Sequence, residues 1–270
     1  MTSTDANDTT SEHGRLLADE EDGTLSLRID NPKRANALDG PVLDALIEAL
    51  RAPAESIRVA LLGASGDRHF SSGLDLGDHD ARGLVDYLPT AEEHLGRAAA
   101  ALRECPVPVV GVINGAAFGG ALELAMACDW RIAAERARFG MPAAKIGVVY
   151  TAQGLQRFVA ALGAPRAKEL FLTGTPITAD RARDIGLVDR VVRDRDLWEV
   201  ARKEAQAVAA SAPLAVAGTR RVIDALAHGL PGEDATRLAD EARRVAFASE
   251  DFREGLAAFR GKRPPHFRAR

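Results

Sequence analysis

Residues 114–123 read NGAAFGGALE, and this stretch decides how the chain folds. A short run rich in Val at residues 107–112 precedes it and is typical of a buried strand. Apolar residues at helical spacing follow it from Gly119 or Gly120. The small residues between strand and helix let a ligand approach the backbone, and the free N–H groups of the first helical turn attract negative charge. The pattern predicts a strand, a ligand-binding loop and a helix.

A second loop of the same kind lies earlier in the chain. Residues 69–75, HFSSGLD, come after another apolar run at residues 57–62. Ligands of open parallel sheets bind at the carboxyl ends of the strands. We therefore expect the two loops to lie side by side at one edge of a parallel sheet.

Glu123 is the first candidate for a catalytic residue. It lies close to one turn inside the predicted helix, on the face that meets the ligand, and its neighbours Leu122, Leu124 and Met126 are apolar. A carboxylate in such surroundings needs a partner or a function. Its position near a helix start lowers its pKa and apolar burial raises it, so the sequence leaves the net direction open.

The remaining chain divides into an α/β part and a helical part. Predicted strands at 24–30, 57–62, 107–112 and 130–134 alternate with predicted helices at 41–50 and 91–103, which implies parallel crossovers. From residue 152 onward the segments are mostly helical. We predict a disordered acidic arm over residues 1–22, an α/β core over 23–195 and a C-terminal helical region over 196–270. The arm has seven acidic residues and one arginine, without the pattern of a signal peptide.

Composition and motifs exclude several function classes. The chain is 46% hydrophobic and 27% charged, as in ordinary globular proteins. Its most apolar stretch, residues 107–128, contains Pro108, Asn114 and Glu123, so no membrane helix is expected. Phosphate-loop, dinucleotide and zinc-protease motifs are absent, as are basic residues interleaved with aromatics for nucleic acid. Two cysteines without ligand or disulfide spacing favour a cytoplasmic location.

Five motifs together resemble those of a known family. They are NPKRANAL at 31–38, FSSGLD at 70–75, NGAAFGGALE at 114–123, FGMP at 139–142 and TGTPITA at 173–179. In this order and at these separations, they make the chain similar to the crotonase (enoyl-CoA hydratase/isomerase) superfamily over roughly residues 24–267.

The resemblance implies an α/β fold, a β-β-α spiral core with a C-terminal helical trimerisation region, and a homotrimer or a hexamer built as a dimer of trimers. It also implies an acyl-CoA thioester substrate, with no cofactor beyond the coenzyme A of that substrate. The backbone N–H groups of Leu74 and Gly120 would form an oxyanion hole for the thioester carbonyl. Residues implied to bind the substrate and its coenzyme A are Arg34, Ala35, Ala37, Ser72, Gly73, Leu74, Gly119 and Gly120.

The sequence departs from the family at the position of its second catalytic acid. Hydratases of the family carry a glutamate directly after the Phe-Gly-x-Pro stretch, and here that position is Ala143. An alanine neither takes nor donates a proton, which favours a reaction that needs one ionisable group or fewer. Decarboxylation is such a reaction, because loss of CO₂ generates the enolate without a base.

Residues 147–150, GVVY, are similar to the GVPY of methylmalonyl-CoA decarboxylases. Tyr150 would then donate a hydrogen bond to the departing carboxylate. That branch carries a histidine where this chain has Leu74, so a side-chain donor to the carboxylate is missing here.

Three functions remain open at this point. The first is a decarboxylase of a malonyl-CoA-type substrate such as methylmalonyl-CoA. The second is an enoyl-CoA hydratase or isomerase that uses Glu123 with an acid from elsewhere, such as Tyr150 or a residue of the 78–87 loop. The third is a non-catalytic acyl-CoA-binding or assembly subunit, against which Glu123 and the two intact loops argue.

Overall fold

Two sheets organise the protein, which is described here from a computed structural model covering residues 13–77, 80–227 and 229–270. The larger sheet has six strands in the order β1-β2-β3-β5-β7-β10. All neighbours in it are parallel except β1 and β2. Its strands are β1 (Arg15–Glu21), β2 (Thr24–Asp30), β3 (Val59–Ala64), β5 (Val109–Ile113), β7 (Trp130–Ala134) and β10 (Arg190–Val192).

The smaller sheet produces a spiral. Its order is β4 (His69–Ser71), β6 (Ala116–Phe118), β8 (Arg138–Gly140) and β9 (Ile177–Thr178). The first three strands are parallel, and β9 is antiparallel to β8. Each of three successive strand pairs therefore gives its first strand to the large sheet and its second to the small one. This topology confirms the predicted α/β spiral.

Helices follow the strand pairs and make up most of the second half of the chain. Those of the first half are α1 (Gly40–Arg51), α2 (Ala81–Glu104) and α3 (Gly120–Ala127). The others are α4 (Ala152–Leu162), α5 (Ala164–Thr173), α6 (Ala179–Asp184), α7 (Leu197–Ala209), α8 (Pro213–Ala227), α9 (Gly232–Ala248) and α10 (Glu250–Gly261). The predicted C-terminal helices are thus present. None of the described helices has the length and apolar character to span a membrane.

The helix α3 forms the centre of the core. All eight of its residues are buried, including Glu123. A helix that is apolar on every side packs inside a protein rather than on its surface. The helices α2 and α4 pack against it, and α7 covers the opposite face of the large sheet through Leu197, Ala201 and Ala205.

The prediction of a disordered arm over residues 1–22 is wrong for residues 15–21. Residues 15–21 form β1, which pairs with β2 in antiparallel register from Arg15 and Asp30 to Glu21 and Thr24. Backbone pairing does not depend on apolar side chains, and charged residues are well tolerated on an edge strand. Residues 1–12 lie outside the described part of the chain. The domain boundaries themselves stay a prediction.

Two predicted loops contain strands, and a third is a helix. The predicted loops at 69–75 and 114–123 include β4 and β6, which are three residues long and give little periodic signal. In the predicted 78–87 loop, α2 begins at Ala81 because Asp80 caps it by accepting a hydrogen bond from the Gly83 N–H. Residues 78 and 79 are not among those described.

Candidate active site

The two predicted ligand-binding loops meet at the end of the small sheet. They contain β4 and β6, which are parallel neighbours. A Cβ atom added to Gly120 would lie 3.4 Å from the Leu74 nitrogen. Within the described chain, neither the Leu74 nor the Gly120 N–H donates to a backbone or side-chain acceptor. The structure therefore brings together two amide donors that have no acceptor among the described residues, and their role as an oxyanion hole stays a prediction.

Gly73 makes this close approach possible. Its φ is +98°, and an added Cβ would lie 2.7 Å from the Phe118 carbonyl oxygen and 3.1 Å from the Gly120 nitrogen. Such contacts with rigid backbone cannot be relieved by moving a side chain. Only glycine at position 73 allows the two loops to touch.

A neighbouring segment orients the Leu74 amide. The Leu38 N–H donates to the Gly73 carbonyl at 2.8 Å, and the Asp75 N–H donates to the Leu38 carbonyl at 2.9 Å. These two bonds form a parallel bridge between Leu38 and Leu74. Because the Gly73 carbonyl and the Asp75 N–H point toward Leu38, the Leu74 N–H points away from it, as in any extended strand.

The predicted coenzyme A segment lies beside this loop. The Ser72 N–H donates to the Ala35 carbonyl at 3.0 Å, and Arg34 reaches Asp75 at 2.9 Å. The Arg34 side chain is half exposed, whereas Ala37 is buried. The structure brings these residues together with Ser72 and Gly73, and their contact with coenzyme A stays a prediction.

Glu123 has a buried partner that sequence reasoning missed. The Arg157 Nη1 on α4 donates to the Glu123 Oε1 at 2.5 Å, and both side chains are about 5% exposed. Gly154, one turn earlier on α4, leaves room for this carboxylate, because an added Cβ would lie 3.2 Å from both of its oxygens. Burial raises the pKa of Glu123, although the Arg157 guanidinium acts in the opposite direction.

A cavity of about 110 Å³ opens in front of the two amides and Glu123. Leu74, Gly119, Gly120 and the Glu123 carboxylate line it, and Ala143 forms part of its wall. At the Ala143 position the wall is apolar, as expected from the sequence. The volume exceeds what one water molecule requires.

Glu92 on α2 supplies a second carboxyl group to the same cavity. It is partly buried and makes no hydrogen bond or ion pair with a residue of the described ranges. Burial raises its pKa. Its negative charge also raises the pKa of Glu123, which is the electrostatic sign of two carboxyl groups near each other.

Tyr150 lies beside Gly119 in the 114–123 loop. An added Cβ on Gly119 would be 3.3 Å from the Tyr150 hydroxyl, and the Tyr150 ring packs edge-on against Phe171. Burial is the main cause that raises the pKa of Tyr150, and the Glu123 and Glu92 carboxylates raise it further. Tyr150 is therefore a neutral hydroxyl at physiological pH.

The charged side chains that line the cavity are all acidic. Glu92 and Glu123 line it, and no Lys, Arg or His does so in the described part of the chain. Within the same residues, no group of three His, Cys, Asp or Glu side chains is arranged to hold a metal ion. Both cysteines are buried and unpaired.

A weak sequence signal for Glu92 exists. Ala91, Leu95, Ala98 and Leu102 form the buried stripe of α2, and Glu92 borders this stripe. A carboxylate at the edge of an apolar stripe, like one inside it, needs a partner or a function. Which cavity it would reach depends on how α2 packs on α3.

Comparison with known proteins adds independent findings. The sequence model described as enoyl-CoA hydratase/isomerase matches residues 19–270. The carnitinyl-CoA dehydratase of Salmonella typhi is 35% identical over 255 residues, 91% of this chain and 95% of that protein. The 2,3-dehydroadipyl-CoA hydratase of Escherichia coli is 32% identical over 261 residues, 94% and 99% of the two chains. A solved enoyl-CoA hydratase from Bacillus anthracis has a TM-score of 0.88 at 29% identity, covering 95% and 100%.

Proposed function

Since the chain belongs to the enoyl-CoA hydratase/isomerase (crotonase) family, we propose that it adds water reversibly across the double bond of a 2-enoyl-CoA thioester, with Glu92 and Glu123 as its two acid–base groups. The observation that carries this proposal is that both carboxyl groups line one cavity with the Leu74 and Gly120 amides.

The amides stabilise the charge that the reaction creates. When water adds to C3 of the thioester, negative charge moves to the carbonyl oxygen as an enolate. Two fixed N–H donors bind that oxygen more strongly in the transition state than in the ground state. Removal of one such donor in other enzymes costs about 10²- to 10³-fold in rate.

The two carboxyl groups differ in their charged partners, although burial raises the pKa of both. Glu123 has Arg157 beside it, which favours the ionised form, so Glu123 takes the proton from the attacking water. Glu92 has a pKa raised by burial and, among the described residues, no cation against it, so it is the better proton donor to C2. At the end the hydroxyl of water is bonded to C3, Glu123 holds the other proton of that water and Glu92 has given its own proton to C2. Exchange of protons with solvent restores both carboxyl groups for the next turnover. The reaction needs no cofactor beyond the coenzyme A of the substrate.

Decarboxylation is the second candidate, and the position of Tyr150 is the observation in its favour. A neutral hydroxyl next to the oxyanion loop would hold a substrate carboxylate by a hydrogen bond. The cavity argues against it, because its described lining residues include no cation to hold a substrate carboxylate. We therefore rank hydration first.

Two substrates separate the candidates. Crotonyl-CoA should lose its conjugated-thioester absorbance as 3-hydroxybutyryl-CoA forms, whereas methylmalonyl-CoA should give no propionyl-CoA. Release of CO₂ from methylmalonyl-CoA, without hydration of crotonyl-CoA, would overturn the proposal. Coenzyme A binding with neither reaction would support a non-catalytic subunit.

Glu92→Gln tests the second acid. We expect it to lower kcat for hydration by about 10²-fold or more, with little change in KM. Glu93→Gln is the matched control, because Glu93 is the exposed neighbour on the same helix. Equal activity of the two variants would remove Glu92 from the mechanism.

Assembly into a homotrimer or a hexamer is part of the proposal. Large apolar side chains on the last three helices are exposed, which is typical of surfaces that contact another chain. These side chains are Ile223, Leu226, Val245, Phe247, Phe252, Leu256 and Phe259. Analytical ultracentrifugation would test it, and a monomer at micromolar concentration would contradict it.

A further inference from the structure

The strongest unexplained group outside the acyl-CoA pocket is the guanidinium of Arg157. It is buried on α4, and only its Nη1 has a partner, the Glu123 carboxylate. Its Nε and Nη2 are buried without a hydrogen-bond acceptor among the residues described. Buried donors that lack acceptors destabilise a fold. The two unpaired donor atoms of Arg157 therefore do not stabilise the fold, and its one contact is with Glu123.

The geometry around Glu123 provides one. Arg157 occupies Oε1, while Oε2 makes no hydrogen bond within the described ranges and the carboxylate lines the cavity. Gly154 on the same helix removes the side chain that would otherwise press on the carboxylate. One turn of α4 thus both holds one oxygen and leaves the other free for substrate or water.

We propose that Arg157 is a positioning residue of this enzyme, which fixes the Glu123 carboxylate with Oε2 toward the substrate and determines how readily that carboxylate accepts a proton. This rests on the proposed function, because it concerns the same Glu123. Arg157 acts through Glu123 and does not itself line the acyl-CoA cavity.

Other charged and titratable groups face this pair and bear on the outcome. Glu92 on α2 and Tyr150 before α4 surround the Glu123 carboxylate, and Arg103 at the end of α2 acts on Arg157. Glu92 favours the protonated form of Glu123, and Arg157 opposes it. Without Arg157, burial acts on Glu123 unopposed by a cation, so we expect the pKa of Glu123 to rise further.

A direct titration separates this inference from the proposed function. The Glu123 carboxyl resonance is followed by ¹³C NMR in glutamate-labelled protein and assigned by its loss in Glu123→Gln. In Arg157→Met we expect its midpoint to move to higher pH, with a smaller move in Arg157→Lys. An unchanged midpoint in Arg157→Met overturns the inference, even if the wild-type protein hydrates crotonyl-CoA. Failure of hydration in the wild type overturns the proposed function alone.

Kinetics give a second readout. In Arg157→Lys and Arg157→Met the acid limb of the kcat/KM profile should move to higher pH, so that activity lost at pH 7 is partly recovered at pH 9. Loss of activity by the same factor at every pH would show a merely structural role and overturn the inference.

Chemical rescue provides the sharpest test. Arg157 also lines a groove of about 870 Å³ that is bordered by α8, so the space left in Arg157→Ala opens to a small solute. Added guanidinium chloride at millimolar concentration should restore kcat at least tenfold, whereas urea, the neutral analogue, should not. Arg166→Ala, at an exposed position on α5, is the control that neither solute should activate. Equal effects of guanidinium and urea on Arg157→Ala would contradict the inference.

Discussion

Two glutamate–arginine pairs in this protein have the same chemistry and opposite consequences. Glu123 and Arg157 are joined by one 2.5 Å contact in the core, where the Glu123 side chain is 6% exposed. Glu254 and Arg263 form a two-bonded fork at 2.6 and 2.7 Å on the surface, where the Arg263 side chain is 45% exposed.

The pKa values of the two carboxyls differ in direction. The fork from Arg263, assisted by the His266 N–H, lowers the pKa of Glu254 to about 2. Burial raises the pKa of Glu123 despite its arginine. An arginine alone therefore does not decide the state of a carboxylate. The exposure of the pair to solvent decides in which direction the pKa of its carboxyl group is shifted.

Removal of the two carboxylates should separate these roles most strongly. Glu123→Gln should lower kcat/KM for crotonyl-CoA by about 10²- to 10⁴-fold, because a general base is lost. Glu254→Gln should leave kcat/KM within about twofold. Steady-state kinetics, with circular dichroism to verify folding, measures both. A similar loss of kcat/KM in the two variants would contradict the different roles proposed for Glu123 and Glu254.

A substitution in the buried loop should differ from one in an exposed loop. Gly73→Ala places a Cβ 2.7 Å from the Phe118 carbonyl, whereas Gly66 also has positive φ but faces open space. We expect Gly73→Ala to lower kcat by about 10²- to 10³-fold, as for loss of an oxyanion donor. Gly66→Ala controls for backbone strain and should leave kcat unchanged. Full activity in Gly73→Ala would contradict the proposal that the two loops form an oxyanion hole.

Loss of the arginines should affect stability unequally. Arg157→Met leaves a buried carboxylate without its cation and should lower the free energy of unfolding by about 3–5 kcal/mol. The double variant Glu123→Leu/Arg157→Met should regain most of that loss. Arg263→Met should change stability little, since its partner is hydrated. Urea denaturation at pH 7 gives all three values, and a double variant as unstable as Arg157→Met would contradict the account.

The smallest effect is a pH dependence of opposite sign. Glu254 has a lowered pKa in the folded state, so its stabilisation is present above about pH 4.5 and is lost as pH falls toward 2. Glu123 has a raised pKa, so its contribution to stability declines as pH rises above about 4.5. Unfolding free energies of Glu254→Gln and Glu123→Gln, relative to wild type from pH 3 to 8, should therefore change in opposite directions. If both differences in unfolding free energy changed with pH in the same direction, the opposite pKa shifts of Glu254 and Glu123 would be refuted.

Sequence patterns predicted the parts of the site that depend on local structure. The loops at 69–75 and 114–123 each combine a strand end with small residues. Because the two strands pair in parallel, these local features suffice to bring Leu74 and Gly120 close together. The three-residue strands within these loops were missed, because so short a run has no detectable period. The edge strand β1 was missed because its pairing is carried by backbone atoms.

Residues distant in sequence escaped prediction for a different reason. The periodicity of α2 and α4 identifies which face of each helix is buried, but not which cavity or partner that face meets. Ala143 alone favoured a reaction with one carboxyl group, whereas the structure places Glu92 from α2 in the same cavity.

The sequence by itself determined the two glycine-rich loops and identified Glu123 as a candidate, since each depends on residue types within a few positions of one another. The spiral fold was implied by the resemblance of the chain's five motifs to those of a known family. Only the tertiary structure decided that Arg157 binds Glu123 and that Glu92 faces the same cavity. Those contacts join helices far apart in the chain, and they follow from the angle and register at which α2 and α4 pack on α3. Helical periodicity contains no information on that packing.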